Sequence, residues 1–155
     1  MSEQTDILSN EIRYAERLCL RTARLYRRLQ TGGVFLTIVG GSATLSALSA
    51  TVPRSVSVIG AICFALFGAL MIAIRPAEKA LANEADAKRY AQLRTLASTM
   101  EADALRAALA KARETDTAEV EPLRAVAFND VVLEVGRNDQ VLPLSVQQRL
   151  LAALA

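Results

Sequence analysis

The chain has 155 residues, of which 52% are hydrophobic and 22% charged, and its net charge is +2. Two stretches, 29–53 and 55–74, carry no charge and are separated only by Arg54. High apolar content with low net charge excludes global disorder, the two uncharged runs argue against an ordinary soluble enzyme domain, and the absence of histidine removes the commonest general base and metal ligand.

Residues 3–30 read as an amphipathic helix. Ile7, Leu8, Ile12, Ala15, Leu18, Cys19, Thr22, Leu25, Tyr26 and Leu29 recur at three/four spacing and form an apolar stripe. The opposite face carries Arg13, Arg17, Arg21, Arg24 and Arg28. That ladder reads either as a solvated face held at a membrane surface or as a docking face for anionic lipid or an acidic partner. No aromatic residues are interleaved with it, so nucleic acid is not an expected partner. Gly32-Gly33 then predicts a break, hinge or cap before the first span.

The first uncharged stretch predicts a span over 33–52. At ~1.5 Å per helical residue, about 20 residues cross a ~30 Å hydrocarbon layer. This span is rich in small and hydroxyl residues: Thr37, Gly40, Gly41, Ser42, Thr44, Ser46 and Ser49. On a helical wheel Thr37, Gly41 and Thr44 fall on one side, and Ser42, Ser46 and Ser49 on nearly the opposite one. Such faces either pack against other helices or line a wet path. Pro53 suits the tight turn that follows. The second span, 56–74, is more apolar, with small residues at Gly60, Ala61, Ala65, Gly68 and Ala69 that would allow helix backbones to pack closely.

Lys and Arg number five in residues 14–28, one in the turn and four in residues 75–89. The positive-inside bias therefore places both termini in the cytoplasm and the turn outside the inner membrane. A cleaved signal peptide fits poorly, because the apolar run starts late and a second run follows at once. Cys19 and Cys63 would lie at different depths, and no CxxC spacing exists for a zinc or redox site.

Beyond Pro76, residues 77–114 contain no Gly or Pro and are dominated by good helix formers. They predict one long cytosolic helix continuing the second span. Leu93, Ala97, Met100, Ala104 and Ala108 form a stripe that would pack on residues 3–30. A segment 122–135 reads as helix, with 131–135 open to a strand. Ser145 and Gln148 have capping-box spacing before a short closing helix with Leu150, Leu151 and Leu154. The chain thus divides into a cytosolic helix (1–32), two spans (33–52 and 56–74) and a cytosolic helical region (75–155). The expected class is all-α: a two-span transmembrane hairpin, an amphipathic N-terminal helix, a long helix extending the second span, and short C-terminal helices.

No carboxylate pair lies within the spans, no glycine-rich phosphate loop follows a strand, and no Ser/His or Cys/His arrangement is available. The expectation is a protein that is not an enzyme, with no catalytic, metal or cofactor site.

The order of elements resembles the SLATT effector domains, two-transmembrane modules of bacterial nucleotide-signalled conflict systems. Glu78, Ala82, Ala87, Tyr90 and Leu93 are similar to that family's A-x-x-Y-x-x-L region, and Leu142-Pro143 with Gln147-Gln148 to its closing segment. Asn83 stands where the family often has histidine. The resemblance implies a homo-oligomeric, pore-forming or membrane-perturbing effector in bacterial defence, gated by a separate cytosolic sensor protein. A non-conducting membrane scaffold or docking protein is the competing expectation.

Overall fold

The computed structural model describes residues 3–46 and 53–155, with Glu3 described by its backbone alone. The described residues are helical, with no strand. Six α-helices follow in order: α1 (Glu3–Leu45), α2 (Arg54–Ile74), α3 (Pro76–Leu96), α4 (Ala102–Arg113), α5 (Arg124–Glu134) and α6 (Val146–Leu154). Single 3₁₀ turns occupy Glu121–Leu123 and Asn138–Gln140. Residues 131–134, readable as helix or strand from sequence, lie in α5.

The chain forms two compact units. The first comprises residues up to Leu25 together with Lys79–Ala155. The early part of α1 is its central element, because it carries apolar side chains on two sides. One side holds Leu8, Ile12, Ala15 and Cys19, which pack with Ala87 and Tyr90 of α3 and with Leu105, Leu109 and Ala112 of α4. The other holds Leu18 and Leu25, which pack with Leu123, Val126, Ala127 and Ala155. Ion pairs reinforce both sides: Glu16 with Arg94 of α3 at 2.9 Å, and Arg17 with Glu134 of α5 at 2.7 Å. The segment before α6 is tied down by Asn129. Its side chain donates to the Leu142 carbonyl and accepts from the Leu142 N–H, both at 2.8 Å. The predicted capping box at Ser145 and Gln148 is formed and starts α6.

The expected long cytosolic helix is two helices. Residues 97–101 leave the helix after α3, and α4 returns against α1. Hydroxyls of Thr95, Ser98 and Thr99 bond to carbonyls three residues back, offering the backbone an alternative to continued helix. Burial then outweighs propensity, because the turn lets Leu105 and Leu109 reach the core. The turn also shifts the register, so Ala104, expected inside, is exposed and Leu105 takes its place.

The second unit is Tyr26–Glu78. The expected break at Gly32-Gly33 does not occur; α1 is helical through both glycines and through Gly40-Gly41. The later part of α1 and α2 lie antiparallel, since Gly33 meets Met71 while Gly40 meets Gly60 and Phe64. Among the described residues one helical stretch is long and apolar enough to cross a membrane. It runs Arg54–Leu96, and its most apolar window has a mean hydropathy of 2.5 with 11% of the window buried. The first expected span is diluted by glycine and hydroxyl residues, and its positions 47–52, including Ser49, lie outside the described residues.

Candidate functional site

Gly33, Thr37, Gly40 and Thr44 recur at spacings of 4, 3 and 4 and so share one side of α1. Gly33 and Gly40 are buried, and Thr37 and Thr44 half-buried. On α2 the buried positions are Ser57 and Gly60. The contact at its centre is backbone against backbone. A Cβ at Gly40 would stand 2.8 Å from both the Gly60 carbonyl and the Phe64 nitrogen. A Cβ at Gly60 would stand 2.6 Å from the Ala43 Cβ and 2.9 Å from the Gly40 carbonyl. Glycine at these two positions is a requirement of close approach. At Gly33 the space is filled by the Met71 thioether end, and Gly41 lies beside the Phe64 ring.

The other small residues are arranged differently. Ala61, Ala65 and Ala69 face outward, and nothing lies within 4 Å of where a Gly68 Cβ would be. Of the five expected close-packing positions on α2, Gly60 is therefore the one in the seam.

The hydroxyls of residues 37–46 bond to the backbone of their own segment. Thr37 donates to the Gly33 carbonyl at 2.8 Å, Ser42 to Ile38 at 2.9 Å, Thr44 to Gly40 at 2.8 Å and Ser46 to Ala43 at 2.7 Å. Each hydroxyl proton thus has an acceptor without water, a common solution in apolar surroundings. Ser42 faces outward, away from the side shared by Thr37 and Thr44.

The arginine ladder divides along its length. Arg21 holds Asp130 through two bonds, Nε to Oδ2 at 2.8 Å and Nη2 to Oδ1 at 2.9 Å, and Nη1 reaches the Ala152 carbonyl at 3.3 Å. The Arg17 hydrogen bond holds the Glu134 carboxyl below its ordinary range, and Glu134 in turn raises the Arg17 guanidinium. These two arginines therefore dock α5 and α6 within the first unit. Arg13 is half-buried, whereas Arg24 and Arg28 are exposed.

A polar cluster joins α3 to the segment after α4. Asp86, 3% exposed, accepts from Arg89 Nη2 at 2.5 Å and from the Thr117 N–H at 2.9 Å. Arg89 also donates to the Ala112 carbonyl at 3.1 Å and to the Thr115 hydroxyl. The Tyr90 hydroxyl donates to Asp116. Burial, then this hydrogen bond, raises the Tyr90 phenol above its ordinary value. Burial also pushes the nearby Cys19 thiol up to about 12, helped by the carboxylates of Asp116 and Asp86. A protonated thiol is a poor nucleophile. An open cavity of about 570 Å³ adjoins the cluster, lined by Tyr14, Tyr90, Arg113, Asp116, Glu119 and Arg124. Its two arginines are paired, Arg113 with Glu11 and Arg124 with Glu119, each at 3.0 Å. Among the described residues no group of three potential ligands stands close enough to hold a metal ion.

Sequence reasoning missed this cluster. Its local signal is Asp86 and Arg89 one helical turn apart; the partners at 115–117 lie beyond the reach of any periodicity. Asn83, placed by resemblance, is buried and donates to the Lys79 carbonyl at 2.8 Å, a contact within its own helix. No protein-family model matches the chain, and neither a curated protein nor a solved structure is similar to it.

Proposed function

We propose that the chain is an integral membrane protein with two spans and both termini in the cytoplasm, which assembles into a homo-oligomer and acts as a pore-forming or membrane-perturbing effector. The observation that carries the membrane part is the inverted packing of the second unit. It buries Gly33, Gly40, Ser57 and Gly60 while Phe35, Ile38, Ile59, Ile62, Leu66 and Ile72 are exposed. Water would oppose that arrangement, whereas lipid favours it: tails solvate the large side chains, and the small ones allow helix backbones to meet. Outward Ala61, Ala65 and Ala69 leave a second small-residue face for another subunit. The five, one and four count of basic residues supports the orientation. The first unit supplies the cytosolic body through which a sensor would act, and the resemblance to SLATT domains supports a role in bacterial defence.

A scaffold that does not conduct is the second reading. The observation favouring it is that the hydroxyls of Thr37, Ser42, Thr44 and Ser46 already donate to their own helix. Dye release from liposomes containing the full chain separates the two. Release that falls when Ser42 and Ser46 become leucine supports the pore. Intact liposomes under every trigger, with the protein firmly inserted, favour the scaffold. Recovery of the chain in the supernatant without detergent would overturn both.

A further inference from the structure

A cavity of about 370 Å³ lies wholly inside the first unit, between the start of α1 and the end of α5. Its size is within the range of small-molecule sites. Ile7 of α1 and Phe128, Val132 and Val135 of α5 form its apolar walls. Ile7 and Tyr14 stand about two helical turns apart on one side of α1. Tyr14 packs on the core that contains Leu123 and Val126. Ile7 is 54% exposed, and Val135 on the other wall is 40% exposed. The apolar sides of the two helices thus face a gap that no described side chain fills. An apolar body entering it would take that surface out of water.

The backbone sets a cation at this cavity. α5 ends in a Schellman turn, in which the Gly136 N–H donates to the Leu133 carbonyl at 3.1 Å and the Arg137 N–H to the Val132 carbonyl at 2.9 Å. Gly136 has φ 78°, a left-handed conformation that glycine takes without strain. The residue after that glycine commonly carries an apolar side chain that packs back on the helix. Here it is Arg137, and it lines the cavity. The Val131, Val132 and Leu133 carbonyls already accept from the N–H groups of Val135, Arg137 and Gly136, so capping does not engage the guanidinium. Among the described residues no carboxylate pairs with it. Asn10 and Gln140 line the same cavity, and among the described residues their side-chain amides have no hydrogen-bond partner either. Glu11, the carboxylate of the lining, is held by Arg113 at 3.0 Å. The charge left over at the cavity is therefore positive.

We propose that this cavity binds a small amphipathic anion, an apolar body with one carboxylate end. The body lies against Ile7, Phe128 and Val135, and the carboxylate meets Arg137. A planar guanidinium matches two carboxylate oxygens at once, and the amides of Asn10 and Gln140 supply neutral donors beside it. Every residue of the site belongs to the first unit, so the inference does not rest on the membrane reading above.

The test uses the full chain, in phosphatidylcholine nanodiscs or, if it proves soluble, in buffer alone. The probes share one body and differ at its end: 4-phenylbutyrate, its uncharged amide 4-phenylbutanamide, and the cation 4-phenylbutylamine. Equilibrium dialysis, with empty nanodiscs as the blank, reads the binding. 4-Phenylbutyrate should bind saturably and about tenfold more tightly than the amide, with the amine weaker still. Arg137→Gln should bring the carboxylate down to the level of the amide. It should leave amide binding and the thermal midpoint unchanged, because the Schellman turn uses backbone groups alone. Ile7→Glu, at an exposed position, should weaken carboxylate and amide alike. Acetate, which lacks the body, should not displace 4-phenylbutyrate. Absence of saturable binding, preference for the amine, full carboxylate binding by Arg137→Gln or by Ile7→Glu, or displacement by equimolar acetate would overturn the site. A chain that binds none of the probes while Ile7→Glu lowers its subunit number would overturn the ligand in favour of a second copy of the chain.

Discussion

The first unit buries Ile12, Leu18, Tyr90, Leu105 and Leu123 completely. The second buries three glycines, Ser57 and Pro76, and leaves Leu66 64% and Ile72 77% exposed. Both are built from helices of the same kind of chain, and they use opposite residues for contact. In the first, removal of apolar area from water is the driving term, so size is rewarded. In the second, helices meet through backbone proximity, so size is excluded from the seam. Hydropathy alone therefore cannot say which side of a helix is its contact side; the surrounding solvent must be specified first.

The contrast is tested most strongly by shrinking a buried side chain of the first unit. Leu105→Ala should cost about 2–5 kcal/mol, read as a lowered unfolding midpoint in detergent. Adding charge tests the other half. Leu66→Asp should raise the cost of membrane insertion by about 3–4 kcal/mol, visible as loss from the membrane fraction. The same change at Leu133, a 54% exposed residue of the first unit, should shift stability by no more than about 0.5 kcal/mol. Equal tolerance at both positions would mean that the second unit sits in water.

A smaller change probes the seam itself. Gly40→Ala puts a methyl 2.8 Å from two backbone atoms of α2 and should destabilise the pair by about 1–3 kcal/mol. Gly68→Ala enters open space and should stabilise α2 by about 0.5–1 kcal/mol. Helix-pair mobility in denaturing gels would register the opposite signs. The last effect appears only in alkali. The folded Cys19 thiol stays protonated to about 12, against an ordinary 9.0. An unfolded chain gives up that proton first, so its contribution to stability is complete below about pH 9 and declines as pH rises towards 12. Tyr90, raised by burial, acts in the same direction. Cys19→Ala should flatten the fall in thermal midpoint above about pH 9.

Much of this was legible because it is local. Of the apolar stripe of α1, Leu8, Ile12, Ala15, Leu18, Cys19, Thr22 and Leu25 are buried in the first unit, as three/four periodicity indicates, whereas Ile7 and Leu29 are exposed. Ser145 and Gln148 announce the start of α6 because both halves of a capping box lie within one turn. The turn after Leu96 was hidden, since its hydroxyl residues act only when burial of Leu105 and Leu109 tips a near balance. Gly32-Gly33 looked like punctuation because a glycine that ends a helix and one that admits a neighbour are written alike. Arg17 and Arg21 looked solvated because periodicity identifies a face without identifying what lies opposite, and Glu134 and Asp130 are more than a hundred residues away.

The two cysteines have a practical consequence. Cys19 is 5% exposed with its thiol held in the unreactive form, and Cys63 adjoins Gly40 inside the helix pair. Water-soluble maleimides should find neither in the folded chain. The natural sequence is then already a silent background for site-directed labelling. A single cysteine introduced at Ser55 or Ala153, both exposed, would report which side of a sealed vesicle it occupies, with both native thiols left in place.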